Sequence, residues 1–503
     1  MPALAALSLL AAAAGAGERL YRSGMLSNGQ PVEAMVQGDV AITGEQVSCA
    51  SCHGRSGMGS IEGRRMAPPL TPEFLSGERK LLSRPRPAYR AGTLARAIRE
   101  GIDAGGNQLD RLMPRYRLGK RDMASLLAYL KTLSSGPSPG ANDDALELAT
   151  VIAPGMPAAA EQTALSVLQR FLEAKNAGAA DLRARHLKAW PEYFGQWKLQ
   201  IWRLSGPPAG WRKQLETYYR EKPVFALLSG LGGDEWGAVN DFCRDLRIPC
   251  LLPNVDNPPE VTRDDSTIYF DGGVLTEARA IAAQIGKLPG QARVLQVFRD
   301  GGSRAASALA AALGPDRSRE YRLGSEPIDA AQAQRLAREA GATAVVLWLP
   351  AADLGRLSPT AFAGARVFLS ATALGDDFAR APVFADGIAV QPGALPAEAR
   401  RRFGRVASWM KARGLPPATT PAEQRIADQT LFAATTLSEG IMHLHKYLVR
   451  DYLLEVIDHL SGFEQFSASW PRLSFGPGQR VLSRGCWMVP LGAPARAPEW
   501  VVP

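Results

Sequence analysis

The sequence predicts a multidomain chain: a small all-α domain followed by a two-lobed α/β region. Three observations lead there. The chain has 503 residues, more than one core usually carries, so two or three domains are expected. A run of small, turn-forming residues, Ser134-Ser135-Gly136-Pro137-Ser138-Pro139-Gly140-Ala141-Asn142, has the composition of a flexible linker. Before it, glycine-punctuated loops alternate with short helical stripes. After it, apolar strand-like runs alternate with amphipathic helices, the rhythm of mostly parallel sheets. The expected boundaries are an export signal over 1–16, the first domain over 17–135, a linker over 136–144 and the α/β region over 145–495.

The first domain is organised around Cys49-Ala50-Ser51-Cys52-His53-Gly54, the C-x-x-C-H pattern of covalent c-type haem attachment. Two thiols at this spacing can add to the two vinyl groups of one porphyrin, and the adjacent His53 is then held beneath the iron. A structural zinc site would need four ligands, and no second Cys or His pair lies nearby. One covalently bound haem c is therefore the expected cofactor.

Bulk properties agree. Met1 to Ala16 is almost wholly apolar, and Ala14-Gly15-Ala16 fits a small-x-small cleavage site before Gly17. It lacks the Lys or Arg that usually opens a signal peptide. The expectation is a soluble periplasmic protein with no transmembrane segment in the mature chain. Residues 17–135 hold 18 Lys and Arg against 11 Asp and Glu, so they carry +7 of the chain's +9. That excess reads either as a solvated face or as a docking surface for an acidic partner. Covalent haem implies export, so nucleic acid is not an expected partner.

In chain order, Gly17 to Leu26 reads as a short helix, followed by a glycine-punctuated stretch to Cys49 and a glycine-rich loop over Gly54 to Gly63. Leu94 to Glu100 reads as a helix stopped at Gly101. From Arg121 to Leu133, Met123, Leu126, Leu127, Leu130 and Leu133 form one apolar helical stripe. Residues 17–133 thus resemble a class I cytochrome c, with terminal helices, C-x-x-C-H and a late Met113-Pro114. The resemblance implies that the terminal helices pack together and that Met113 is the second axial ligand. A soft, neutral thioether favours Fe(II) and a high potential suited to electron transfer. It also implies that a proline carbonyl after the motif receives the His53 ring N–H; Pro69 is the candidate, with Pro68 beside it.

After the linker, strands are expected at Leu146–Ile152, Leu199–Leu204, Val224–Ser229, Pro249–Pro253, Val294–Phe298, Thr343–Leu349 and Val367–Leu369. Helices are expected between them, with mainly helix over Gln424–Leu460. Lys222 to Ser229, Arg247 to Pro253, Tyr269 to Gly273 and Leu473 to Gly478 make this region resemble the periplasmic binding proteins of the branched-chain-amino-acid-binding type (type I). The resemblance implies two lobes closing on a small ligand. Its contacts would come from loops at strand ends: Pro154-Gly155, Ser229 to Gly232, Asn254 to Asp256, Arg299 to Gly301 and Trp348 to Pro350. The hydroxyl-rich loops that capture an amino-acid carboxylate are largely missing, so that specificity is not expected. Trp190, Tyr193, Phe194 and Trp197 read either as local packing or as an aromatic ligand wall.

The remaining candidates are plain. His443 and His445 cannot share one helix face, so they are not expected to bind metal. His186 and His459 have no partner visible in sequence. Cys243 and Cys250 either form a bridge or remain two buried thiols. No G-x-S-x-G, Walker loop or paired-carboxylate arrangement occurs, so a stand-alone enzyme is not expected. The expected function is periplasmic electron transfer by a His53/Met113 haem c, with a redox partner such as a quinoprotein dehydrogenase. The fused domain would hold a small-molecule ligand in its two-lobe cleft or dock the electron donor. The alternative is a solute-binding receptor for transport or sensing with an accessory haem domain.

Overall fold

A computed structural model describes residue 15 onward except 64, 82–83, 185–194, 315, 327, 376–383, 385, 394–395, 461–472 and 493–496. The chain forms two compact units. The first comprises the chain up to Pro139 together with His443–Val456; the second takes in the α/β remainder.

In the first unit a helix over 15–23 packs on the helix Lys120–Leu130. They meet at Gly17, where a Cβ would overlap the Ser125 carbonyl, so only glycine permits this approach. Tyr21 and Tyr129 pack beside the crossing, ring centroids 5.4 Å apart and planes tilted by 52°. Met123, Leu126, Leu130 and Leu133 of the expected stripe join Leu20, Tyr21, Val32 and Ile98 in one core. The terminal helices therefore pair as the sequence suggests. The helix Ala91–Glu100 stops at Gly101, which adopts the left-handed conformation (φ 70°), as expected of a C-terminal glycine.

The stretch before Cys49 is not merely loop. Glu33–Val36 pairs antiparallel with Val40–Thr43 and with Arg115–Tyr116. This small sheet ties the segment ahead of the haem motif to the residues just after Met113. The linker composition also misleads. Ser138 N–H donates to the Leu448 carbonyl (2.8 Å), Arg450 N–H to Ser138 Oγ (3.1 Å), and the Arg450 guanidinium to the Pro139 carbonyl (2.9 Å). That stretch is pinned by backbone hydrogen bonds that no compositional signal reveals.

The second unit contains two seven-stranded sheets. In the first, the order is Asn254–Val255, Leu231–Gly233, Ala145–Ile152, Ala226–Leu228, Cys250–Leu251 and Thr267–Ile268, with Gln196–Arg203 also paired to Ala145–Ile152; every pairing is parallel. In the second, Ser318–Arg322, Val294–Phe298, Ala344–Trp348, Arg366–Ser370 and Gly387–Gln391 run parallel. Cys486–Pro490 and Glu499–Val501 add an antiparallel edge. Strands such as Ala344–Trp348 are buried along their whole length. That is why they read as unbroken apolar runs: helices cover both faces of a parallel sheet. The expected class, a small cytochrome domain before a two-sheet α/β region, is the observed one. Cys243, Cys250 and Cys486 are buried and outside any disulfide; of the two readings of Cys243 and Cys250, the unbridged one holds.

Candidate functional site

The haem motif forms a single helical turn, Ala50–His53, capped by Cys49 and closed by Gly54 at φ 75°. His53 N–H donates to the Cys49 carbonyl (2.9 Å), which sets both cysteines and the histidine on one short scaffold. Cys52 is exposed and Cys49 half-buried, and neither is in a disulfide. Burial pushes the Cys49 thiol up to about 12, so it stays protonated. Tyr116, whose hydroxyl donates to the Val47 carbonyl (2.6 Å), closes the space behind the motif.

His53 is 6% exposed, and its Nδ1 lies 2.8 Å from the Pro68 carbonyl oxygen. A carbonyl only accepts, so Nδ1 carries the proton and the ring's lone pair is left on Nε2. Burial lowers the histidine's pKa, which keeps the ring neutral and able to ligate. The acceptor is Pro68 and not the Pro69 expected from the resemblance. The register explains the difference. Ser60 pairs with Ala67, and Leu70 N–H donates to the Gly57 carbonyl (2.7 Å), which together bring the Pro68 carbonyl over the ring.

Met113 packs against the same core as Cys49. Its loop is tied by Arg115, whose guanidinium donates to the carbonyls of Met113, Leu109 (3.2 Å) and Asp110 (3.2 Å). That guanidinium lies where a Cβ on Gly101 would be. Neither residue's role is visible in sequence: Gly101 reads only as a helix stop, and Arg115 as one of many surface cations. Two unbridged thiols one helical turn apart, a neutral imidazole with Nε2 available and a thioether on the same core fit a covalently held haem. Among the described residues no group of three or more His, Cys, Asp or Glu could hold a metal ion. His443 lies in the last turn of the helix Pro421–Leu444, and His445 follows it.

In the α/β unit Pro154-Gly155, Ser229-Gly230, Arg299 to Gly301 and Leu349-Pro350 follow strand C-termini as expected, whereas Leu231-Gly232 and Asn254-Val255, expected as loop, are short strands of the first sheet. Ser229, directly after Ala226–Leu228, is buried with its hydroxyl donating to Thr430 Oγ1 (3.0 Å) and accepting from Asn254 Nδ2 (3.0 Å). Asn254 Oδ1 and Gln429 Oε1 are buried with no hydrogen-bond partner among the described residues. This polar group was not foreseen, because Thr430 and Gln429 lie about two hundred residues from Ser229. Arg299 is committed elsewhere, to both Asp353 carboxylate oxygens (2.7 and 2.8 Å). Trp197 is buried, with the Lys175 ammonium 5.6 Å from its ring, so it is packing. Trp190, Tyr193, Phe194 and His186 lie outside the described residues, as does 1–14 of the export signal. Among the described residues no helix is long and apolar enough to cross a membrane.

Comparison with known proteins separates the two parts of the chain. A search of curated proteins found no match. Solved structures similar to this chain include a type 1 periplasmic binding protein from Bordetella pertussis Tohama I, at 16% identity over 72% of this chain and 100% of the other (TM-score 0.49). They also include a branched-chain amino acid ABC transporter protein from Thermus thermophilus with bound valine, at 14% identity over 72% and 97% (TM-score 0.47). A third is a leucine binding protein from Thermotoga maritima, at 12% over 71% and 97% (TM-score 0.47). The match that bears on chemistry is to the cytochrome c family, over residues 43–134: this segment, from just ahead of Cys49 to the end of the apolar helical stripe, is a cytochrome c domain, and that family implies covalently bound haem c.

Proposed function

We propose that this protein is a periplasmic electron carrier with one haem c, joined to a binding-protein-like α/β unit. Cys49 and Cys52 would hold the porphyrin, and His53 and Met113 would ligate its iron. The haem supplies one-electron chemistry when bound. The chain's part is to orient and enclose it. The Pro68 carbonyl fixes the His53 tautomer and ring plane, and Arg115 fixes the loop that carries Met113. The observation that carries the reading is the Nδ1–Pro68 contact. An imidazole held by its far nitrogen, directly after two free thiols on one turn, presents a single nitrogen to a single ligand. Met113 would complete the ligand set, in keeping with the typically non-catalytic character of such domains.

The basic charge of residues 17–135 suits an acidic redox partner such as a quinoprotein dehydrogenase, with a rate that falls as salt rises. Met113→Ala tests the axial assignment. The weak sulfur-to-iron band of the oxidised spectrum should vanish and the potential fall; an unchanged spectrum would reject Met113 as ligand.

A second role, small-molecule binding by the α/β unit, is favoured by the buried acceptors Asn254 Oδ1, on the short strand Asn254–Val255, and Gln429 Oε1, on the helix Pro421–Leu444. A ligand donating to them would raise the unit's melting temperature by mass action. Thermal-shift screening with alcohols, acids and amides reads this directly. If no compound stabilises the unit, donor docking is the better assignment.

A further inference from the structure

The first compact unit includes a short stretch from near the end of the chain, His443–Val456. Its helix, Arg450–Asp458, delivers Glu455 to the loop that follows His53, across 399 positions of sequence. Ser56, itself fully buried, donates its backbone N–H to Glu455 Oε1 (2.9 Å) and its hydroxyl to Glu455 Oε2. Arg55 N–H also bonds the carboxylate. The carboxylate lies so close to Gly54 that a Cβ there would sit 2.9 Å from both of its oxygens. The same loop is fastened from its other side. Tyr21 OH donates to the Gly54 carbonyl (2.7 Å), and Ser134 Oγ to that of Ser56 (2.6 Å). The helix bearing Glu455 is held in turn by the ion pair of Asp451 with Arg22. Glu455 is thus a part-buried acid whose hydrogen bonds go to Arg55 and Ser56, the second and third residues after the proposed iron ligand.

A carboxylate in a low-dielectric setting acts on a nearby redox centre more strongly than one in water. Ferric haem carries one more positive charge than ferrous, so such an anion stabilises the oxidised state. We infer that Glu455 is a positioning residue for the haem loop and that its negative charge lowers the potential of the haem. This rests on the haem reading above. It gives the C-terminal helix a part in electron transfer, because any change in the chain that moves Arg450–Asp458 would alter both the loop and the potential.

The test is spectroelectrochemical titration of the full-length holoprotein at pH 8 for wild type, Glu455→Gln and Glu455→Asp. Glutamine keeps the size, can still accept from the Ser56 N–H through Oε1 and can donate from Nε2 to Ser56 Oγ, but removes the charge; aspartate keeps the charge. The expected result is normal haem content and spectrum in all three, a positive shift of midpoint potential for Glu455→Gln, and a smaller one for Glu455→Asp. An unchanged potential in a haem-loaded Glu455→Gln protein, or equal shifts in both variants, overturns the inference while leaving the haem assignment intact. Wild type without covalent haem overturns both. If Glu455→Gln fails to assemble, hydrogen exchange on the wild-type holoprotein decides the clamp. Slow exchange of the Arg55 and Ser56 amides supports it, and fast exchange at both rejects it.

Discussion

Glu277 offers a quantitative test of the α/β unit. It sits near the start of the helix Val274–Ile285, fully buried. Oε1 accepts from Thr372 N–H (3.0 Å) and Thr372 Oγ1 (2.8 Å), and Oε2 accepts from the Ser370 hydroxyl. Burial outweighs these bonds and raises the carboxyl from 4.5 to about 7. A folded-state pKa above the unfolded value contributes stability that is complete below about 4.5 and lost as pH rises through about 7. At ~1.4 kcal/mol per tenfold, the swing is about 3 kcal/mol. Glu277→Gln removes it. The amide fits because Ser370 Oγ, which already accepts from Ala373 N–H (3.1 Å), can accept a second hydrogen. All ten tryptophans follow residue 145, so urea unfolding followed by tryptophan fluorescence reads this unit in the full chain. Relative to wild type, the variant should gain about 3 kcal/mol between pH 4 and pH 8. A stability difference that does not change with pH would refute the reasoning.

Two further predictions are simpler. Gly101→Ala places a Cβ at positive φ and against the Arg115 guanidinium, so it should destabilise the first unit by ~1 kcal/mol or more and weaken the Met113-to-iron band. A normal band at full stability would remove Arg115 from the account. Alkylation after denaturation without reductant should label Cys243, Cys250 and Cys486; a single labelled thiol would mean that Cys243 and Cys250 are bridged after all.

The legible parts of this protein were those whose chemistry is local. Cys49, Cys52 and His53 are written in five consecutive residues. The helix Lys120–Leu130 shows its stripe, and strands such as Val294–Phe298 are buried apolar runs. What escaped is long-range or polar. The edge strand Ser318–Arg322 is largely exposed and charged, so nothing marks it as sheet. The strand Cys486–Pro490 pairs back on Gly387–Gln391, and Glu499–Val501 pairs on Cys486–Pro490, a closure that local pattern does not encode. Pro68 and Pro69 differ only in the register of their neighbours. Glu455 is invisible as a partner of Ser56, because an isolated acid on an amphipathic helix reads as a solvated side chain. Arg115 likewise looks like surface charge until its three carbonyl acceptors are seen.

Electron transfer by this protein requires the covalent haem before anything else. The direct measurement is peptide mass mapping of the chain produced with a haem-maturation system. The peptide containing Cys49 to His53 should carry the mass of one haem with both thiols consumed, and no other peptide should carry haem. Recovery of that peptide with two free thiols, from protein matured under conditions that load another c-type cytochrome, would contradict the central claim.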